Sequence, residues 1–317
     1  MGKRLLFVFN PRSGKGRVKN ALFETVDIFT AGGYDVTVHP TQSAEDCANT
    51  VARLAAEHDV VAVSGGDGTL NEAVSGMIRL PEEDRRPIGY IPSGTMNDFA
   101  SGNGIPKDMT AAAETIVKGG TIKYDIGRLN DRHFIYVAGF GAFTDVSYVT
   151  PQTTKNVFGP MAYLVEGIKS LAKIEGIDVR VTTDEGQVVE EEALICLIMN
   201  STSVAGVGFG DFYNVDTDDG LFEILVIPKS SKLTDIAAVI SEILNGERDS
   251  GGVHVLTTKG AVIETEKPVR WTLDGEFGGE TDKVSFGVIH NAVEFIVKQD
   301  DRDEQNEILI TEKKTKE

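Results

Sequence analysis

Three glycines in four positions, Gly65-Gly66-Asp67-Gly68 with Thr69 next, leave the backbone bare just where strand-like residues give way to a helical pattern. A bulky anion can approach the N–H groups of such a turn, and the positive end of the following helix favours negative charge. Asp67 narrows the chemistry. A carboxylate in a phosphate-binding turn repels the phosphate unless a divalent cation or water stands between them. The turn therefore points to a metal–nucleotide complex more than to a bare phosphate; the plainer alternative is a tight turn that uses Gly for its dihedrals.

Two further turns carry the same chemistry. Asn10-Pro11-Arg12-Ser13-Gly14-Lys15-Gly16 is not a Walker loop, because Phe9 stands where Gly is needed and Gly16 where Ser or Thr is needed. The helix start near Arg17 can still hold phosphate, with Lys15 as a mobile point charge. Pro92-Ser93-Gly94-Thr95-Met96-Asn97-Asp98-Phe99 flanks a glycine with hydroxyls that suit phosphate, ribose or metal-bound water; helix capping explains them equally well. Two acidic segments complete the set. Asp216-Thr217-Asp218-Asp219-Gly220-Leu221 packs oxygen ligands suited to Mg²⁺ or Ca²⁺, or is an acidic turn. Leu273-Asp274-Gly275-Glu276 places two carboxylates at a strand end, where one could act as a base on an alcohol, or is a hairpin turn.

The elements that must position these residues alternate. Strands are expected at 5–9, 34–39, 59–64 and 88–91, and helices at 17–31, 44–56 (with Ser43 as N-cap), 70–79 and 108–118. Such alternation predicts a parallel sheet with helices on both faces and ligands beyond the carboxyl ends of its strands. After about residue 120 the texture becomes strand-rich: 121–130, 133–140, 177–183, 189–199, 221–227, 253–256, 261–266, 269–273, 283–287 and 292–298. Helices at 158–174 and 232–245 interrupt it. This predicts a mainly antiparallel β-sandwich over 126–291, after an α/β domain over 1–125. The stretch 300–317 reads as a charged, solvated tail.

A net charge of −18 argues against a nucleic-acid binder and against uniform attraction to an anionic membrane. No apolar run reaches the ~18 residues of a spanning helix. Cys47 and Cys196 have no metal-ligand spacing and read as core thiols of a reducing cytosol. The five histidines show no ligand spacing, and no Gly-x-Ser-x-Gly supports a hydrolase.

Taken in order, these motifs resemble the catalytic domain of diacylglycerol kinases, the soluble bacterial lipid kinases in particular. The resemblance covers nearly the whole chain to about residue 298. It implies an α/β domain of the NAD kinase/diacylglycerol kinase-like type joined to a β-sandwich lipid-substrate domain, with ATP in the cleft and segment 292–317 returning to the first domain. It implies ATP as phosphoryl donor held by Asn10, Pro11, Arg12, Ser13, Gly14, Thr41, Gly65, Gly66, Asp67, Gly68, Thr69, Leu70, Asn71 and Thr95. Structural Mg²⁺ would sit at Asp216, Asp219 and the Leu221 carbonyl, while Asp67 would act with water and a catalytic Mg²⁺. Either Asp274 or Glu276 would be the base.

The implied reaction is phosphorylation of the primary hydroxyl of diacylglycerol to phosphatidate. Another lipid alcohol or NAD is the alternative acceptor, and a nucleotide-binding regulatory protein the non-enzymatic one. A cytoplasmic protein visiting the inner membrane face reversibly is expected, with Lys15, Lys155, Lys169 and Lys173 as a local docking patch and a homodimer as a possible assembly.

Overall fold

In the computed structural model, which describes residues 2–141, 175–201, 203–204, 207–208, 216–230 and 253–298, the chain divides into two compact units. One runs through Lys123 and takes back the segment from Val293; the other is Tyr124–Ala292.

In the first unit, β3 (Val60–Gly65) is buried at every position, as a strand covered on both faces must be. β1 (Lys3–Phe9) lies beside it in parallel register, Leu5 opposite Val60 and Phe9 opposite Ser64. β2 (Tyr34–Pro40) flanks β1, and β4 (Ile88–Pro92) flanks β3, both in parallel. The helices between them are α1 (Arg17–Ala31), α2 (Asp46–Leu54) and α3 (Asp67–Ile78); α4 (Asp98–Gly102) and α5 (Met109–Lys118) follow β4. The returning segment adds a fifth parallel neighbour, Phe295 opposite Ile88 and Ile296 opposite Gly89. Phe295 packs against Phe99 with ring centroids 4.4 Å apart and the planes tilted by 48°, which ties that strand to α4.

Two helix starts differ from the sequence expectation. α3 begins at Asp67, three residues before Leu70. Gly66 takes the N-cap position, and its carbonyl accepts the N–H groups of Thr69 (3.0 Å) and Leu70 (3.1 Å), so glycine and threonine supply the first turn. α2 begins at Asp46 after Glu45 turns left-handed (φ 62), and Ser43 is not its cap. The Asp46 carboxylate instead accepts the Gln42 N–H at 2.7 Å, which lowers its pKa.

The second unit is antiparallel. β5 (Gly120–Leu129) turns through left-handed Asn130 into β6 (Arg132–Phe134), and β7 (Val137–Gly141) follows. β8 (Ile177–Thr183) and β9 (Val188–Met199) form a hairpin. β10 (Ser203–Val204) and β11 (Val207–Gly208) make a separate two-stranded ladder. β12 (Phe222–Pro228) pairs with β9 and β13 (His254–Thr258), and β14 (Gly260–Leu273) pairs with β15 (Glu276–Val297). Both β7 and β8 bridge β9 to β14, at different stretches of those long strands. The core between them joins Phe134, Phe222 and Phe286 in mutual ring contact, with Phe140 edge-on to Trp271 at 5.0 Å.

Segments 261–266 and 269–273 are one strand here, not two. Pro268 sits within a register shift between Glu264 and Val269, which is how a strand accommodates proline. Likewise 283–287 and 292–298 belong to the single strand β15. Cys47 and Cys196 are buried and free. The predicted helices 158–174 and 232–245 and the tail 300–317 lie outside the described residues.

Candidate active site

In the first unit the turns after β1, β3 and β4 meet at the carboxyl ends of their strands, where ligands of parallel sheets bind. Backbone bonds lock them together. Asn10 N–H donates to Ser64 O (2.8 Å), and Ser93 and Gly94 N–H donate to Gly65 O (2.8 and 3.1 Å). Close approach explains the glycines. A Cβ on Gly94 would stand 2.5 Å from Gly66 Cα, and one on left-handed Gly14 (φ 53) would strike the Ser93 carbonyl. Arg17, at the helix start expected to hold phosphate, brings its Nε to within 3.6 Å of that Cβ position, a cation beside a glycine cradle.

Buried Asn97 is left-handed (φ 55), and its side chain closes the third turn through Gly94 N–H and Gly94 O, each at 3.0 Å. The single Tyr90 O–H is shared between two acceptors, Gly65 O (3.1 Å) and Asn97 Oδ1 (3.3 Å). Asp67 spans two of the turns. Its Oδ2 accepts Asn97 N–H at 2.9 Å and its Oδ1 accepts Phe99 N–H at 3.4 Å. Burial first, and then the neighbouring Asp98 carboxylate, push its pKa up against those bonds. A partly buried carboxylate held near a like charge is poised to gain from a cation.

Ser13, Gly14, Gly65, Gly66, Asp67, Ser93 and Gly94 are thus brought together. Asn10 holds the first turn by accepting Arg12 N–H on Oδ1 (2.9 Å). Thr41 donates its N–H to Phe9 O at 2.9 Å, beside the same strand end. Leu70 is the exception among the predicted nucleotide residues: its side chain is fully buried and faces the core, because it lies one turn into α3. Thr95 is exposed.

In the second unit, Asp274 and Gly275 are the two-residue turn between β14 and β15, with Leu273 opposite Glu276. Both are left-handed (φ 48 and 83), as a type I′ hairpin requires. Asp274 is 4% exposed. Its carboxylate accepts the backbone N–H groups of Ile135 (2.8 Å), Tyr136 (3.0 Å) and Val137 (3.2 Å). Glu276 is exposed at the start of β15. The two carboxylates thus differ in setting: Asp274 is enclosed and bonded to backbone, and Glu276 is exposed.

The acidic turn at 216–221 hangs on a residue that belongs to none of the sequence motifs. Asp125, fully buried, accepts Gly220 N–H (2.6 Å), Asn291 N–H (2.5 Å) and His290 Nδ1 (3.0 Å). Asn200, also fully buried, donates Nδ2 to Asp125 O (3.0 Å) and leaves its Oδ1 without a partner. Asp218 shares a hydrogen bond with Asp216, which raises its pKa. Asp219 accepts Leu221 N–H at 2.8 Å. A turn whose side chains offer only oxygen ligands suits a hard divalent cation. Among the described residues, however, no group of three His, Cys, Asp or Glu side chains converges as a ready ligand set. Lys15 lies in the short helix Ser13–Gly16, its side chain outside the described part; Lys155, Lys169 and Lys173 also fall outside it.

Residues 4–129 match the diacylglycerol kinase catalytic domain, and residues 137–297 match the YegS C-terminal NAD kinase beta sandwich-like domain. A diacylglycerol kinase of Staphylococcus saprophyticus is 32% identical over 283 residues, 88% of this chain and 91% of the relative. One of Staphylococcus epidermidis is 34% identical, covering 88% of each chain. The crystal structure of a diacylglycerol kinase from Bacillus anthracis superposes with a TM-score of 0.72 at 26% identity, over 94% of this chain and 97% of that one. With this identity sustained along the chain, and with the turn glycines of the catalytic-domain match explained by backbone contact, the chain belongs to the diacylglycerol kinase family.

Proposed function

We propose that this enzyme transfers the γ-phosphoryl group of ATP to the primary hydroxyl of diacylglycerol, giving phosphatidate and ADP. The observation that carries the reading is the Gly66–Gly94 contact beside the α3 N-terminus, a place without side chains where a phosphate can approach the positive end of the helix. Ser13, Gly14, Gly65, Gly66, Gly68, Thr69 and Thr95 line the donor site, Asn10, Pro11, Arg12 and Asn71 shape its turns, and Thr41 borders it. Leu70 contributes through its backbone alone. Asp67 fixes two of the turns in register and offers its remaining lone pairs to water or a cation.

Glu276 takes the hydroxyl proton as the alcohol oxygen attacks phosphorus in line and the bond to the ADP oxygen breaks. Asp216, Asp219 and the Leu221 carbonyl are the residues that would hold a structural Mg²⁺. A catalytic Mg²⁺ is the separate ion that Asp67 would hold through water, and when bound it would supply positive charge to the transferring phosphoryl group. The donor residues and the base belong to different units, which fits a division into a nucleotide-binding part (1–125 with 292–317) and a lipid-substrate part (126–291).

No helix among the described residues is long and apolar enough to cross a membrane, so a lipid acceptor implies reversible contact with a bilayer surface. Lys15, Lys155, Lys169 and Lys173 are the residues we assign to it, on a protein working at the cytoplasmic face, as a monomer or homodimer. NAD as acceptor is the second reading, favoured by the NAD kinase-like description of the second matched domain.

The deciding experiment supplies the purified protein with Mg-ATP and mixed micelles carrying diacylglycerol, other lipid alcohols or NAD. Labelled phosphatidate is the expected product. Label on NAD alone, or on nothing, refutes the assignment.

A further inference from the structure

Glu276 projects from a hairpin tip that the fold holds only lightly. β14 meets β7 through just two residue pairs, Thr272 with Gly139 and Leu273 with Ala138. A register shift between Trp271 and Thr272 loosens the β14–β15 ladder at the same place. Gly275, Glu276 and Phe277 are all exposed. Packing alone therefore does not fix where Glu276 points.

Polar contacts on both sides of Glu276 do. Before it, Asp274 extends the short ladder by donating its N–H to Val137 O at 2.8 Å. Its carboxylate then turns back to collect the three N–H groups of Ile135, Tyr136 and Val137, and Tyr136 Oη donates to the Asp274 carbonyl at 3.3 Å. After it, the Arg132 guanidinium donates Nη1 to the Phe277 carbonyl at 2.7 Å. Arg132 sits on β6, just upstream of the segment Asp274 grips.

We infer that Asp274 and Arg132 are positioning residues that clamp the two neighbours of Glu276 and so aim the base. The inference rests on Glu276 being that base, and it assigns Asp274 a role distinct from proton transfer. An isosteric amide does not substitute for the carboxylate. Asn would turn an NH₂ group toward one of the three N–H donors, losing that bond and setting donor against donor.

The experiment compares Asp274→Asn, Arg132→Ala, Arg132→Lys and Glu276→Gln across a pH series, using whichever acceptor the wild type phosphorylates. Glu276→Gln should lose about 10³-fold in kcat along with the acidic limb of the pH profile. Asp274→Asn should lose about 10–100-fold in kcat, with KM for ATP nearly unchanged and the acidic limb in its wild-type place, as a misaimed base requires. Arg132→Ala, on the surface and neutral for folding, should lose about 3–10-fold, and Arg132→Lys should recover part of it. Should Asp274→Asn fail to fold, the Arg132 pair decides.

An acidic limb that disappears in Asp274→Asn overturns the inference, as does full kcat in Arg132→Ala. A wild type inactive on every acceptor refutes the kinase assignment instead. The clamp is then read by amide exchange: Asp274→Asn should speed exchange at Ile135–Val137 about tenfold or more and Glu276→Gln should not, while unchanged exchange in Asp274→Asn refutes it.

Discussion

Gly94→Ala tests the donor cradle at its tightest point. The added Cβ would stand 2.5 Å from Gly66 Cα, 2.8 Å from Asn97 Oδ1 and 3.3 Å from Gly66 N. Carbon atoms in contact sit at about 3.5–4.0 Å, so one turn must move by roughly 1 Å. The nearest obstacle is backbone, and no rotamer change relieves it. Overpacking of this kind costs about 1–3 kcal/mol of stability. The displaced turn also carries Ser93 and, through Asn97 N–H, the Asp67 carboxylate, so a 1 Å shift should lower kcat/KM for ATP by about 10²-fold. Gly120→Ala is the control, since a Cβ there meets nothing within 4 Å. Thermal unfolding and initial rates at varied ATP read the two effects. A Gly94→Ala enzyme with wild-type melting and wild-type kcat/KM would refute the argument that this contact shapes the site.

Asp125→Ala should destabilise the protein by about 3–5 kcal/mol in urea titrations, because it strips the acceptor from Gly220, Asn291 and His290 at once in a buried place. A loss below about 1 kcal/mol would mean water replaces the carboxylate without penalty. Asp67→Asn should sharply reduce activity yet raise the melting temperature near neutral pH. The Asp67 pKa is raised in the folded state, so its contribution to stability is full below its unfolded pKa and declines as pH rises through the folded one. The advantage of Asp67→Asn over wild type should therefore grow from acid toward neutral pH; a gap that shrinks instead would show that the Asn97 and Phe99 N–H bonds outweigh burial.

The parts legible in the sequence are those set by local rules. The strand–helix rhythm of the first 120 residues follows from apolar periodicity, and the boundaries of α1 and β2 fall within a residue of it. Helix propensity puts the start of α3 after Gly68, while capping by Gly66 and the burial of Leu70, Ala73 and Val74 move it forward to Asp67. Proline cannot donate to a ladder, which favours separate strands at 261–266 and 269–273, yet a bulge absorbs Pro268 and β14 continues. In both places a tertiary contact outweighs a local preference.

The site divides along the same line. Glycines and carboxylates clustered within a turn announce themselves, whereas Asp125 does not, because its partners Gly220, His290 and Asn291 lie 95, 165 and 166 residues away. Its one local signal is a carboxylate between Tyr124 and Ile126 in a strand, at a position the fold buries completely. A buried carboxylate without matched donors is too costly to keep, so that placement alone implies a polar constellation gathered from distant chain. Asp274 shows the converse. Asp-Gly at a hairpin and a catalytic Asp-Gly-Glu read identically in one dimension, and what separates them is which carboxylate the backbone encloses. Ile135, Tyr136 and Val137 enclose Asp274, and Glu276 is left facing solvent.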